Sequence, residues 1–135
     1  MLKIMIVEND AMIADYLEEV LNDAGYEVCG IAPDVETAIT MGRACQPDLG
    51  IIDLRLPDGR LGTEVAAALC PGTRFGALYS TGNPDHPMLR DAMGVACLAK
   101  PYTPDVLVAA LHLVWARMMG EAAPSTLPNG LRLLH

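Results

Sequence analysis

Apolar positions along the chain alternate between two kinds of pattern. Leu2-Lys3-Ile4-Met5-Ile6-Val7 is a short, β-branched-rich run that stops at Glu8-Asn9-Asp10, as a buried strand would. Ile13, Leu17, Val20, Leu21 and Ala24 then recur at three- and four-residue steps, with Gly25 placed to end a helix. Residues 26–31 read as a second strand, and Asp34 is placed to cap a helix running to about Cys45. Pro47 closes that helix. Leu49-Gly50-Ile51-Ile52 is a third apolar run, ending on Asp53.

The same alternation continues. Residues 54–61 form a loop containing Pro57-Asp58-Gly59, followed by a short helix over 63–69 that Pro71-Gly72 stops. Residues 75–80 predict a fourth strand, 85–93 a short helix and 96–99 a fifth strand. Thr103 as cap and Pro104 at the first helical position open a last helix, to about Met118. Strands alternating with helices predict an α/β fold, a doubly wound, five-stranded parallel sheet of flavodoxin-like form with helices on both faces. It takes up residues 2–119, and residues 120–135 read as a C-terminal tail.

Composition narrows the function. In 135 residues, 52% are hydrophobic, enough for a packed core and sized for one domain. Nine basic residues against 17 acidic ones give a net charge of −8, which argues against nucleic-acid binding and suits a divalent cation or a basic protein face. Cys29, Cys45, Cys70 and Cys97 have no metal-site spacing and read as reduced thiols of a cytoplasmic protein. The N-terminal apolar run is too short for a signal peptide or a membrane span.

In an open parallel sheet, ligands bind beyond the carboxyl ends of the strands. Those ends carry Glu8-Asn9-Asp10, Asp53, Ser80-Thr81-Gly82 and Lys100-Pro101. Carboxylates, a hydroxyl and a lysine are thus expected to converge on one crevice.

With these residues the chain resembles the receiver domain of two-component response regulators, over about residues 2–119. The resemblance is carried by Ile6-Val7-Glu8-Asn9-Asp10, the block from Pro47 through Asp53 to Gly59, Tyr79-Ser80-Thr81-Gly82 and Leu98-Ala99-Lys100-Pro101-Tyr102. It implies that Asp53 accepts a phosphoryl group from a histidine kinase or histidine phosphotransfer protein and that the chain signals to a downstream protein. The chemistry would be self-catalysed, with no separate small-molecule substrate. The implied cofactor is Mg²⁺, held by Asp53, the backbone carbonyl of Arg55, Glu8 and Asn9, with Asp10 as a further candidate ligand or else the cap of the first helix. Lys100 would pair with a phosphoryl oxygen or with resting Asp53, and Thr81 and Gly82 would contact other phosphoryl oxygens.

Two positions depart from the usual receiver pattern. Asn9 stands where the second acidic residue is expected, which predicts weaker Mg²⁺ binding and keeps open a pseudo-receiver that binds proteins without being phosphorylated. Cys97 stands where many receivers place a switch aromatic, so the chain resembles a single-domain subgroup with Thr-Gly after strand four and no such aromatic. Two other functions fit poorly. A flavodoxin-type carrier needs its phosphate loop after strand one, and a haloacid-dehalogenase phosphatase needs an Asp where Arg55 stands. The last helix is apolar nearly all round, which predicts a cover over its outer side: a second copy in a homodimer, a partner, or the chain's own residues 131–134. Asp15, Glu18, Glu19 and Asp23 on the first helix form a candidate kinase-docking face.

Overall fold

The computed structural model describes residues 1–135. Strand β1 (Lys3–Val7) leads through α1 (Ala11–Asp23) to β2 (Glu27–Ala32), then through α2 (Val35–Cys45) to β3 (Leu49–Asp53). Helix α3 (Gly62–Leu69), β4 (Gly76–Thr81), β5 (Ala96–Ala99), α4 (Pro104–Met118) and β6 (Leu131–Leu133) complete the chain. The sheet order is β2-β1-β3-β4-β5-β6. Its first five strands run parallel, and β6 lies antiparallel to β5.

The helices start where their caps are strongest. Asp10 accepts from the Met12 and Ile13 N–H groups at the head of α1, Asp34 from Thr37 at α2 and Thr103 from Val106 at α4. Alternation along the strands splits the core in two. Met5, Ile52 and Tyr79 face α2 and α3 in a cluster of 17 buried residues, whereas Ile6, Ile51 and Leu78 face α1 and α4 in one of 16. Two cores of nearly equal size explain why the central strands are apolar on both faces.

The structure corrects the expected architecture in two places. The sheet has six strands, not five, because residues 131–133 of the expected tail pair with β5. A run of three residues is too short for alternation to signal a strand. The helix expected over 85–93 is a single 3₁₀ turn at Pro87–Leu89. Pro84 and Pro87 remove two backbone donors there, and no apolar stripe compensates. This segment is anchored instead by the Tyr79 hydroxyl, which donates to the Met93 carbonyl. Gly94 follows at φ +137, where a Cβ would come within 2.9 Å of the Tyr79 ring.

Leu127, Leu131 and Leu133 pack into the core that α4 shares with α1, on the sheet-facing side of α4, not over its outer side. No helix is long and apolar enough to cross a membrane. All four cysteines are free.

Candidate functional site

The carboxyl ends of the parallel strands bring the expected groups together. Asp53 ends β3, Thr81 ends β4, and Glu8 and Lys100 directly follow β1 and β5. Lys100 Nζ donates to Asp53 Oδ1 at 2.8 Å and stands 3.9 Å from Glu8 Oε1. Glu8 and Asp53 are both buried, at 5% and 8% exposure, so one ammonium serves two desolvated carboxylates. The second oxygen of Glu8 accepts the backbone N–H of Asp10 at 3.1 Å.

This balance of charge perturbs Asp53 and Lys100. Burial pushes the Asp53 carboxyl above its ordinary value of 3.8, the neighbouring Glu8 carboxylate adds to the rise, and Lys100 opposes it. Burial works against the Lys100 ammonium, but its bonds to Asp53 and Glu8 outweigh that and hold its pKa above the usual lysine value.

Asp53, Arg55, Ser80, Thr81, Gly82, Asn83 and Lys100 line one open cavity of about 360 Å³. The loop after β3 is braced beneath it. Leu56 N–H donates to Arg60 O at 2.9 Å, and Gly62 N–H donates to Leu54 O at 2.7 Å. A Cβ at Gly62 would overlap the backbone oxygen of Asp53, so only glycine permits α3 to begin this close to the site. Thr81 Oγ1 accepts the Asn83 N–H at 2.9 Å and so shapes the turn that follows β4.

The expected residues divide into three groups. Glu8, Asp53 and Lys100 are in direct contact. Arg55, Thr81 and Gly82 share their cavity. Asn9 and Asp10 are exposed, and the Asp10 carboxylate is engaged as the α1 cap, which leaves it poorly placed to serve as a ligand.

Sequence reasoning places Ser80 at the end of the fourth strand but gives it no role. It pairs in register with Asp53 across β3 and β4, is buried, and its hydroxyl has no hydrogen-bond partner. A serine inside an otherwise apolar strand was the available signal. An orphaned hydroxyl in the cavity that Asp53 lines leaves polar capacity for a bound group. No three His, Cys, Asp or Glu side chains cluster as a metal site. A cation here would rest on two carboxylates supplemented by amide, carbonyl or water oxygens, a hard donor set that fits Mg²⁺.

Comparison with known proteins decides the family. A sequence model of the response regulator receiver domain matches residues 4–112. The chain belongs to the response regulator receiver domain family. Among curated relatives of this receiver, the transcriptional regulatory protein PdtaR of Mycobacterium tuberculosis is 30% identical over 118 residues, covering 85% of this chain and 57% of PdtaR. The receiver thus spans little more than half the length of that relative. Among solved structures, a CheY-like receiver domain protein from Methanospirillum hungatei superposes with a TM-score of 0.77 at 26% identity, covering 90% of this chain and 99% of that one. The receiver domain of a modulated diguanylate cyclase from Desulfovibrio desulfuricans also gives 0.77, at 25% identity and the same coverage.

Proposed function

We propose that this receiver accepts a phosphoryl group on Asp53, from a histidine kinase or a histidine phosphotransfer protein, in a Mg²⁺-dependent reaction. The observation that carries the reading is the buried Asp53 carboxylate, held 2.8 Å from Lys100 and flanked by Glu8. A carboxylate raised above its ordinary pKa is kept basic, and the ammonium beside it offsets charge that the incoming phosphoryl oxygens bring.

In the transfer, an Asp53 oxygen forms a bond to phosphorus as the donor's P–N bond breaks, and the bond's electron pair leaves with the imidazole nitrogen. Lys100 is placed to move from Asp53 alone to sharing a phosphoryl oxygen. The Thr81 hydroxyl and the backbone around Gly82 line the same cavity and supply further donors. Asp53, Glu8, Asn9 and the Arg55 carbonyl would hold Mg²⁺, which when bound neutralises charge on the transferring oxygens. Met12, Ile13 and Tyr16 are exposed on α1, just past the Asp10 cap, and with the acidic residues of that helix they form the docking face we assign to the phosphodonor protein.

Asn9 favours a second reading, a protein-binding module that works without phosphorylation. Amide shifts of Asp53, Thr81 and Lys100 on adding beryllofluoride with Mg²⁺ separate the two. Shifts that vanish in Asp53→Asn support the phosphoacceptor, and none in the natural chain overturns it.

A further inference from the structure

Strand β6 sits on β5 as a ligand would. Its register sets Leu133 opposite Ala96, Arg132 opposite Cys97 and Leu131 opposite Leu98. Two further backbone bonds extend the pairing: Ala99 N–H donates to Gly130 O and Leu134 N–H donates to Val95 O, both at 3.0 Å. Leu131 is seated in the core at 5% exposure. Arg132 Nη1 reaches Asp85 Oδ1 at 2.5 Å and the Pro84 carbonyl at 3.5 Å. These last two residues follow the turn that Thr81 holds at Asn83, so the surface abuts the candidate site.

The hold on this segment is confined to one strand edge. It consists of a three-residue ladder with two flanking backbone bonds, one buried leucine, the partly buried Leu127, Leu133 and Leu134, a contact of the His135 ring with the Ala92 carbonyl, and an ion pair whose side chains are 54% and 76% exposed. Exposed ion pairs of this kind contribute little. Residues 121–126, which lead into the strand, are exposed and carry no helix or strand. Beneath β6 lies the edge of β5, a row of backbone donors and acceptors ready to pair with any extended chain.

We propose that the edge of β5, together with Asp85, is a docking surface for an extended segment of a partner protein. That segment adds as an antiparallel strand with an apolar–basic–apolar–apolar pattern, and the chain's own Leu131-Arg132-Leu133-Leu134 is the resident occupant that it displaces. Backbone pairing supplies affinity, as in other strand additions, while the Leu131 seat and the Asp85 carboxylate supply selectivity. The acidic net charge of −8 favours a basic partner segment on the same grounds. The surface does not depend on phosphoryl chemistry, so failure of either reading leaves the other intact.

The test uses the full chain and a fluorescent peptide with the sequence of residues 127–135, read by anisotropy. The resident strand competes at the high effective concentration of a tethered ligand, so the natural chain binds the peptide weakly. Arg132→Glu in the chain replaces attraction to Asp85 with repulsion and raises peptide affinity by about fivefold or more. Leu131→Asp raises it further. A charge swap guards against misfolding: in the Leu131→Asp chain, whose resident strand is already displaced, adding Asp85→Lys reduces binding of the natural peptide and restores it for a peptide carrying Arg132→Glu. Equal affinity across these variants, or no binding by any of them, overturns the proposal. A dimer of Arg132→Glu without gain in peptide affinity also overturns it, in favour of strand exchange between two copies.

Discussion

Lys100 Nζ stands 2.8 Å from Asp53 Oδ1, although 47 positions separate the two residues in the chain. The sheet order explains how they meet. Strand β4 lies between β3 and β5, so the two backbones are about 10 Å apart, a gap that a lysine stem reaching across from one side can close. The contact therefore depends on both strands ending level with each other, which their pairing with β4 ensures.

Removing that ammonium is expected to damage the chemistry and, without Mg²⁺, to lower stability, because Glu8 and Asp53 are left buried without a counter-charge. Lys100 is more than a third exposed, so Lys100→Ala leaves little to repack. The rate of phosphoryl incorporation at Asp53 should fall by about 10²-fold, the usual cost of losing one preorganised partner for a transferring anion. Stopped-time mass measurements on the two proteins check this.

The raised pKa of Asp53 fixes the sign of a stability effect. A carboxyl that titrates higher when folded contributes stability that is fully present below its ordinary value of 3.8 and is lost as pH rises through the folded value. Without Mg²⁺, the natural chain should therefore lose stability across that window relative to Asp53→Asn. Near neutral pH the variant is expected to be more stable by at most about 4 kcal/mol, the worth of a carboxyl raised from 3.8 to about 7. Urea denaturation of both proteins at a series of pH values measures the difference.

Asn9→Asp restores a full negative charge beside Glu8. Because position 9 is exposed, the gain is screened, and Mg²⁺ affinity is expected to rise by about tenfold or less. Calorimetric titration of Mg²⁺ into both chains checks this, and an unchanged affinity would place position 9 outside the cation site.

Gly62→Ala would push a methyl group into the backbone oxygen of Asp53, where nothing flexible can yield. Overpacking of this sort costs about 1–3 kcal/mol. A drop in thermal stability together with slower phosphorylation is expected, since the phosphoacceptor itself must shift. Unchanged values of both would show that α3 does not brace the site.

Much of this architecture could be read from the residues. Leu2-Lys3-Ile4-Met5-Ile6-Val7 and Leu49-Gly50-Ile51-Ile52 announce strands because both faces of the sheet are covered, and Asp34 and Thr103 announce helices because caps act locally. The strand-end groups could be listed in advance and the resemblance implied a Lys100–Asp53 pair, but the residues did not reveal that Glu8 shares the same ammonium. That Glu8 also meets Lys100 follows from the order of strands in the sheet, a non-local property. The sixth strand was hidden because it draws its stability from β5, and the segment over 85–93 because its anchor is the hydroxyl of Tyr79 in another element. Ser80 could be named but not given a role, because its importance lies in the register that sets it beside Asp53.

The central claim is that Asp53 is the phosphoacceptor. Intact-mass measurement of the chain after incubation with a small phosphodonor, with and without Mg²⁺ and alongside Asp53→Asn, tests it most directly. The account predicts a single phosphoryl adduct that requires Mg²⁺ and is absent from the variant. No adduct in the natural chain, or an adduct of equal extent in Asp53→Asn, would contradict it.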